Sequence, residues 1–307
     1  MVPETASPSM LKNLAFRRLC GAMFAAMTAT YAIYFASMVL VEKITHSSAQ
    51  MGLMIFASTL PGLLFGLVAG VVVDRRERIS VLVTSNALRT LVSLGFLAVV
   101  HFLRPPILLP AVYLSNFALA ALIQFVAAAE GATLPRLVGS KQLMAANSLF
   151  NLALLASQGA GLVGLAPLLL KLGGPQAVAL AAILLNLGAV ALSASLPREK
   201  MTPQVRERRT LSGLWADFRA GWRFIASDRS VSLATFQLVL ASSVSLVLST
   251  LAPGFVARGL GLRVEDAAYM VVPVGIGLGL GLALVGRQGD RRRRESWVNI
   301  GLLVLGG

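Results

Sequence analysis

Of 307 residues, 56% are hydrophobic and only 13% are charged, with a mean hydropathy of +0.77 and a formal net charge of +14. A water-soluble domain of this length cannot cover its surface with about half the usual share of charge, whereas a lipid solvent removes that need. The basic excess does not point to nucleic acid, because Lys and Arg stand in short runs between apolar blocks and form no basic helix with interleaved aromatics.

The chain opens with Lys12, Arg17 and Arg18, followed by an apolar block from about Cys20 to Val41. That block is longer than the roughly 7–15 residues of a signal-peptide core and ends in no small-x-small cleavage site, so it is expected to be a retained first helix. Seven further blocks reach the 20 or so residues that a membrane-spanning helix needs. They run roughly Met51–Val73, Ser80–Phe102, Ile107–Ala129, Leu143–Leu170, Pro175–Leu196, Val231–Phe255 and Ala267–Gly286. A ninth begins near Trp297. All are Ala- and Leu-rich without sustained apolar/polar alternation, which favours helices over strands. The fold class predicted is an all-α polytopic bundle.

One connection is long. Pro197 to Ser230 carries Arg198, Lys200, Arg206, Arg208, Arg209, Arg219, Arg223 and Arg229. It divides residues 1–196, with six helices, from residues 231–307, and is read as a basic cytoplasmic linker. Within it Leu214, Phe218, Trp222 and Ile225 recur every three or four residues, which suits an amphipathic helix in the membrane interface. With the N-terminus placed in the cytoplasm, 21 of the 27 Lys and Arg residues fall in inside segments and five in outside loops. The last, Arg89, lies within the third helix. This split sets the orientation by the positive-inside rule and accounts for most of the net charge.

Two stretches share one pattern. Gly70-Val-Val-Val-Asp74-Arg75-Arg76-Glu77-Arg78 joins helices two and three, and Gly286-Arg-Gln-Gly-Asp290-Arg291-Arg292-Arg293-Arg294 follows helix eight. Both read G-x-x-x-D-R-R-x-R, at equivalent places in two helical sets, which is the mark of an internal repeat. The pattern resembles the signature loop of the major facilitator superfamily. The resemblance implies two six-helix bundles and alternating access. It also implies a charge latch: Gly70 and Gly286 permit close helix packing, and Asp74 and Asp290 pair with the following arginines and face a helix N-terminus of the opposite bundle. Glu77 stands where the family has glycine.

Further stretches are similar to the macrolide- and siderophore-exporter-like efflux branch. Thr133-Leu-Pro135-Arg136-Leu-Val138 with Leu143-Met-Ala-Ala146-Asn147 resembles its helix-four to helix-five connection. Asp217-Phe-Arg-Ala-Gly221-Trp222 resembles the start of its second half, and Leu251-Ala-Pro253 its helix-seven to helix-eight turn. Other positions depart from it. Thr28–Thr30 stand near a family aspartate of helix one, Asn86 replaces an aspartate ahead of Arg89, and Gly159-Ala-Gly161-Leu-Val-Gly164 lacks the proline of the exporter motif in helix five.

A charge inside the membrane is costly and marks function by default. Arg89 is the clear candidate, either as a coupling or anionic-substrate contact or as a structural arginine bonded to Asn86 and nearby carbonyls. Glu42 and Glu130 are placed at helix ends. Tyr31, Tyr34, Asn116, Gln124, Asn147, Asn151 and Gln237 either line a central cavity or bond helix to helix.

The function expected is secondary active export of small amphipathic molecules, drug- or siderophore-like, from a bacterial inner membrane. Protons are the coupling ion the branch implies. No cofactor, no metal and no nucleic-acid partner is expected, and no Ser/His pair, His/Glu cluster or aspartate pair supports an enzyme. The alternative is a truncated, non-transporting scaffold derived from such a carrier. By the resemblance, residues 231–307 hold two helices and the beginning of a third where six are due. The chain alone is therefore expected not to move a fluorescent amphipathic dye out of vesicles, and saturable, gradient-driven efflux would refute this. The topology has its own check. A cysteine introduced at Ser212 in a Cys20→Ser background is expected to resist membrane-impermeant thiol reagents in intact cells, and labelling from outside would overturn the orientation.

Overall fold

Inside a hydrocarbon layer every backbone N–H and C=O must be satisfied within the protein, and a helix does this for each apolar block on its own. The computed structural model describes residues 12–103, 105–139, 142–197, 219, 221–227, 229–255 and 259. No strand occurs among them. The helices are α1 Leu14–Thr45, α2 Ser48–Arg75, α3 Arg78–Phe102, α4 Pro105–Val138, α5 Leu143–Gly159, α6 Ala166–Ala194 and α7 Arg229–Gly254. A π-helical segment, Ala160–Leu165, joins α5 to α6. α1 begins before its apolar block and α4 continues past its own to Val138, whereas α3 ends with its block at Phe102. The block at 267–286, the repeat at Gly286, Asp290 and Arg291, and most of the basic linker lie outside the described residues.

Between Leu143 and Ala194 the helical path is 52 residues long, about 78 Å at 1.5 Å each, which is over twice a hydrocarbon core of about 30 Å. It makes two spans because it breaks at Gly173 and Gly174. Gly174 has φ +67°, a conformation open to glycine, and Pro175 follows it. The chain then returns. Gln176 Nε2 donates to the Val100 carbonyl at the end of α3 (3.4 Å), and Arg18 Nη1 of α1 donates to the Ser195 carbonyl (2.7 Å). Six spans thus precede residue 197, as the sequence predicts.

α1 is the central helix. It packs against α2, α4, α5, the π segment and α6, and also meets α7. A helix enclosed on nearly every side needs small residues, and Ala22, Ala26, Ala29, Ala32 and Ala36 are all buried. Its start is fixed by Asn13, whose Oδ1 accepts from the Ala15 and Phe16 amides while Nδ2 donates to the Leu137 carbonyl of α4 (2.8 Å). At this end, Phe16, Leu19, Val73, Leu82, Val126, Leu134 and Ala146 form one apolar cluster that ties α1 to α5 together. The outer faces are apolar instead of charged, as Leu63, Leu67, Leu114 and Leu184 show. That pattern fits a lipid surround.

α1 and the π segment approach each other closely. A Cβ on Gly161 would lie 2.7 Å from the Thr28 carbonyl oxygen and 2.9 Å from Tyr31 Cβ. Glycine packing in the fifth span therefore survives without the proline of the exporter motif, and the π turn replaces the proline as the source of irregularity. At Gly70 a Cβ would meet nothing within 4 Å among the described residues, so the close approach expected there is not made to these helices. Gly161→Ala is expected to destabilise the detergent-solubilised protein by about 1–3 kcal/mol. Gly164→Ala, with open space around its Cβ position, is expected to change little. Equal melting temperatures for the two variants would contradict this packing.

Candidate functional site

Polar side chains of the spans divide into an interior network and an outer set. On α3, Asn86, Arg89, Thr90 and Ser93 recur at helical spacing and face inward, all buried. Arg89 is fully enclosed (0% exposed). Its Nη2 donates to the Ala26 carbonyl of α1 at 2.6 Å and to Thr30 Oγ1, and its Nη1 donates to Asn86 Oδ1 at 3.4 Å. Asn86 Nδ2 in turn donates to Ser193 Oγ on α6 (3.1 Å), and Asn186 Nδ2 of α6 donates to Ser93 Oγ (3.1 Å). One arginine and two amides thereby join α1, α3 and α6. Arg89 Nε and Asn186 Oδ1 are buried without a hydrogen-bond partner among the described residues.

The structure corrects the placement of Glu130. The apolar block ends at Ala129, but α4 continues to Val138, so Thr133–Val138 is the helix's own last turns and the connection to α5 is residues 139–142. Glu130 is 4% exposed, within the membrane-spanning helix, and interacts electrostatically with Arg89 of α3. Glu42 also is buried, near the end of α1. Sequence reasoning missed Glu130 because an apolar window stops at the first charge, and a helix does not. It missed Ser193 and Asn186 although their seven-residue spacing sets them on one face of α6.

The expected cavity residues separate. Asn116 is spent on helix contacts, its Nδ2 donating to Ser37 Oγ of α1 (2.8 Å) and to the Val112 carbonyl (2.9 Å). Tyr34 packs partly buried against a cluster formed by Met38, Val41, Met51, Met54 and Ile55. Tyr31 lies beside Gly161, and Gln124 beside Gly62 and Gly66, both half-buried. Asn147 and Asn151 are exposed on α5, and Gln237 is half-buried on α7.

The first repeat is more compact than a loop. Gly70 to Arg75 belong to α2, and only Arg76 and Glu77 separate α2 from α3. Both adopt extended backbone, Arg76 at φ −116°, ψ 160° and Glu77 at φ −64°, ψ 123°. Glu77 makes the turn without the glycine the resemblance supplies. Asp74 sits exposed in the last turn of α2, beside Arg75. A helix C-terminus carries partial negative charge, so a carboxylate there is held against the dipole and favours arginines or the positive end of another helix.

A chain whose spans enclose a charged and hydrogen-bonded interior, with lipid-compatible faces outside, is a multi-pass integral membrane protein. The family model for the Major Facilitator Superfamily matches residues 19–307, and the chain belongs to that superfamily of secondary transporters of small molecules. No curated protein matches it.

Removing Arg89 takes away the donors that Ala26, Thr30 and Asn86 accept from in the buried interior. Arg89→Leu is expected to cost about 1–3 kcal/mol of stability in unfolding titrations in mixed micelles. Asn147→Leu, at an exposed site, is expected to cost nothing measurable. A stable Arg89→Leu protein would remove the interior network from the account of the fold.

Proposed function

We propose that this protein exports small amphipathic molecules, drug- or siderophore-like, by alternating access of two bundles about the 197–230 linker. In this reading the N-terminus and both repeats are cytoplasmic, and the membrane is a bacterial inner membrane. The observation that carries the substrate class is the division of polar groups. Arg89, Glu130, Asn86 and Asn116 are buried within the first six helices, whereas Tyr31, Tyr34, Gln124, Asn147, Asn151 and Gln237 keep some exposure. Amides and phenols among aliphatic side chains offer hydrogen bonds and stacking surface without fixed charge, which suits a molecule with an apolar body and a few polar groups. Superfamily membership over residues 19–307 supports the transport mechanism.

Asp74, Arg75 and Arg78, with Gly286, Asp290 and Arg291 in the second repeat, form the conformational switch in this reading. Asp74→Asn in a carrier with both six-helix halves is expected to slow efflux of a fluorescent amphipathic dye from proteoliposomes by roughly tenfold or more, a little over 1 kcal/mol in the switching step. Binding of the dye, followed by fluorescence anisotropy, is expected to stay within about twofold. A loss of binding with an unchanged balance of inward- and outward-facing forms would sink the latch, and absence of dye movement by the unaltered carrier would sink the export reading.

A further inference from the structure

The seam between α3 and α6 uses one pattern twice. Asn86 and Ser93 stand seven residues apart on α3, and Asn186 and Ser193 seven apart on α6. Each asparagine donates to the serine of the other helix, Asn86 Nδ2 to Ser193 Oγ and Asn186 Nδ2 to Ser93 Oγ, both at 3.1 Å. The exchange is reciprocal, as it is for two antiparallel helices related by a two-fold axis between them. All four side chains are buried.

The pattern breaks at its midpoint. Three residues after Asn86 stands Arg89, whose Nη1 donates to Asn86 Oδ1 (3.4 Å). Three residues after Asn186 stands Ala189, which has no donor to offer. Asn186 Oδ1 is left without a hydrogen-bond partner among the described residues, and so is Arg89 Nε. One is an acceptor and the other a donor. Both residues are 0% exposed, so bulk water and lipid headgroups do not serve them. An interior polar atom left alone bears its full desolvation cost, and natural interiors rarely leave one so. The neighbouring groups decide what can meet these two. Ser93 Oγ spends its hydrogen on the Arg89 carbonyl (2.9 Å), and Asn186 Nδ2 donates to Ser93. An anion there faces an amide oxygen, and a cation faces the permanent charge of Arg89. A molecule that accepts one hydrogen bond and donates another suits both atoms, and full enclosure restricts it to a very small one. The side chains packed with Ala189 are themselves small, Ala22 and Ala26 of α1.

We propose that α3 and α6 hold a buried water molecule between Arg89 Nε and Asn186 Oδ1. The water accepts from Nε–H and donates to Oδ1. Ser93 Oγ, which accepts only from Asn186, keeps a lone pair for the second hydrogen. Three bonds to otherwise unserved interior groups are what a retained internal water requires. The water supplies to Asn186 the donor that Arg89 supplies to Asn86, and so completes the reciprocal seam. It is a structural ligand of the first six spans, whatever molecule the carrier moves.

Two measurements on the full chain in lipid bilayers test the site. A density map fine enough to show ordered solvent is expected to place a peak about 2.7–3.2 Å from both Arg89 Nε and Asn186 Oδ1. Direct contact of Nε with Asn186 Oδ1 or with the Glu130 carboxylate overturns the proposal, as does a map with no solvent peak between the two atoms. Proton-detected solid-state NMR is expected to show magnetisation transfer from water to the Arg89 Nε–H, assigned through its correlations to the rest of the Arg89 side chain. Absence of that transfer in the unaltered protein overturns the proposal without recourse to any variant. In Asn186→Leu, which removes the acceptor and keeps the volume close, the transfer is expected to be lost while Arg89 keeps its bonds to Ala26, Thr30 and Asn86. Undiminished transfer in a folded Asn186→Leu protein also overturns the site.

Discussion

A guanidinium enclosed in an apolar medium must be met by acceptors wherever it lies, and the arrangement of the first six spans follows from how Arg89 is met. Two of its acceptors, the Ala26 carbonyl and Thr30 Oγ1, belong to α1 and fix that helix at the centre. A carbonyl that already serves the helix ladder can take a second donor only if the partner helix comes close. The alanines along α1 allow that approach. From Asn86 the same network reaches Ser193, and through Ser93 it reaches Asn186, so α6 is held by amides and not by apolar contact alone. In a bilayer, where lipid tails compete equally for apolar side chains, such bonds and close packing are what distinguish one helix partner from another.

The same logic separates rigid from adaptable parts. Arg89, Asn86, Asn116 and Asn186, buried among α1, α3, α4 and α6, are bonded across helices. Asn147 and Asn151 on α5, Gln237 on α7, and the half-buried phenols of α1 retain exposure. The two-residue turn between α2 and α3 belongs to the rigid part, since Arg76 and Glu77 leave little slack between consecutive spans.

Much of this was legible in the sequence. The lengths of the apolar blocks predicted the helices of the described residues, with the fifth block ending at Leu170 and the sixth beginning at Pro175. The repeated G-x-x-x-D-R-R-x-R pattern pointed to the superfamily that the match over residues 19–307 establishes. The interior site was legible only in part. Arg89 stood out as a charge in an apolar run, and its bond to Asn86 followed from their three-residue spacing. Glu130 did not stand out, because hydropathy places a charge at a boundary while hydrogen bonding carries the helix two turns further. The separation of Asn116 from Asn147 and Asn151 was likewise hidden. Residue type is the same at all three, and only the rotation of each helix against its neighbours decides which amide is enclosed.

The π segment has a consequence for helical phase. Ser157 and Ala166 are both buried against the bundle, yet they are nine residues apart, about two and a half α-helical turns, which in an unbroken helix would set them on opposite sides. The wider turn at Ala160–Leu165 takes up roughly one extra residue and brings the two back toward a common side. The fifth span therefore behaves as two helices with different angular origins, and the amphipathic arc drawn from its first half does not extend into its second.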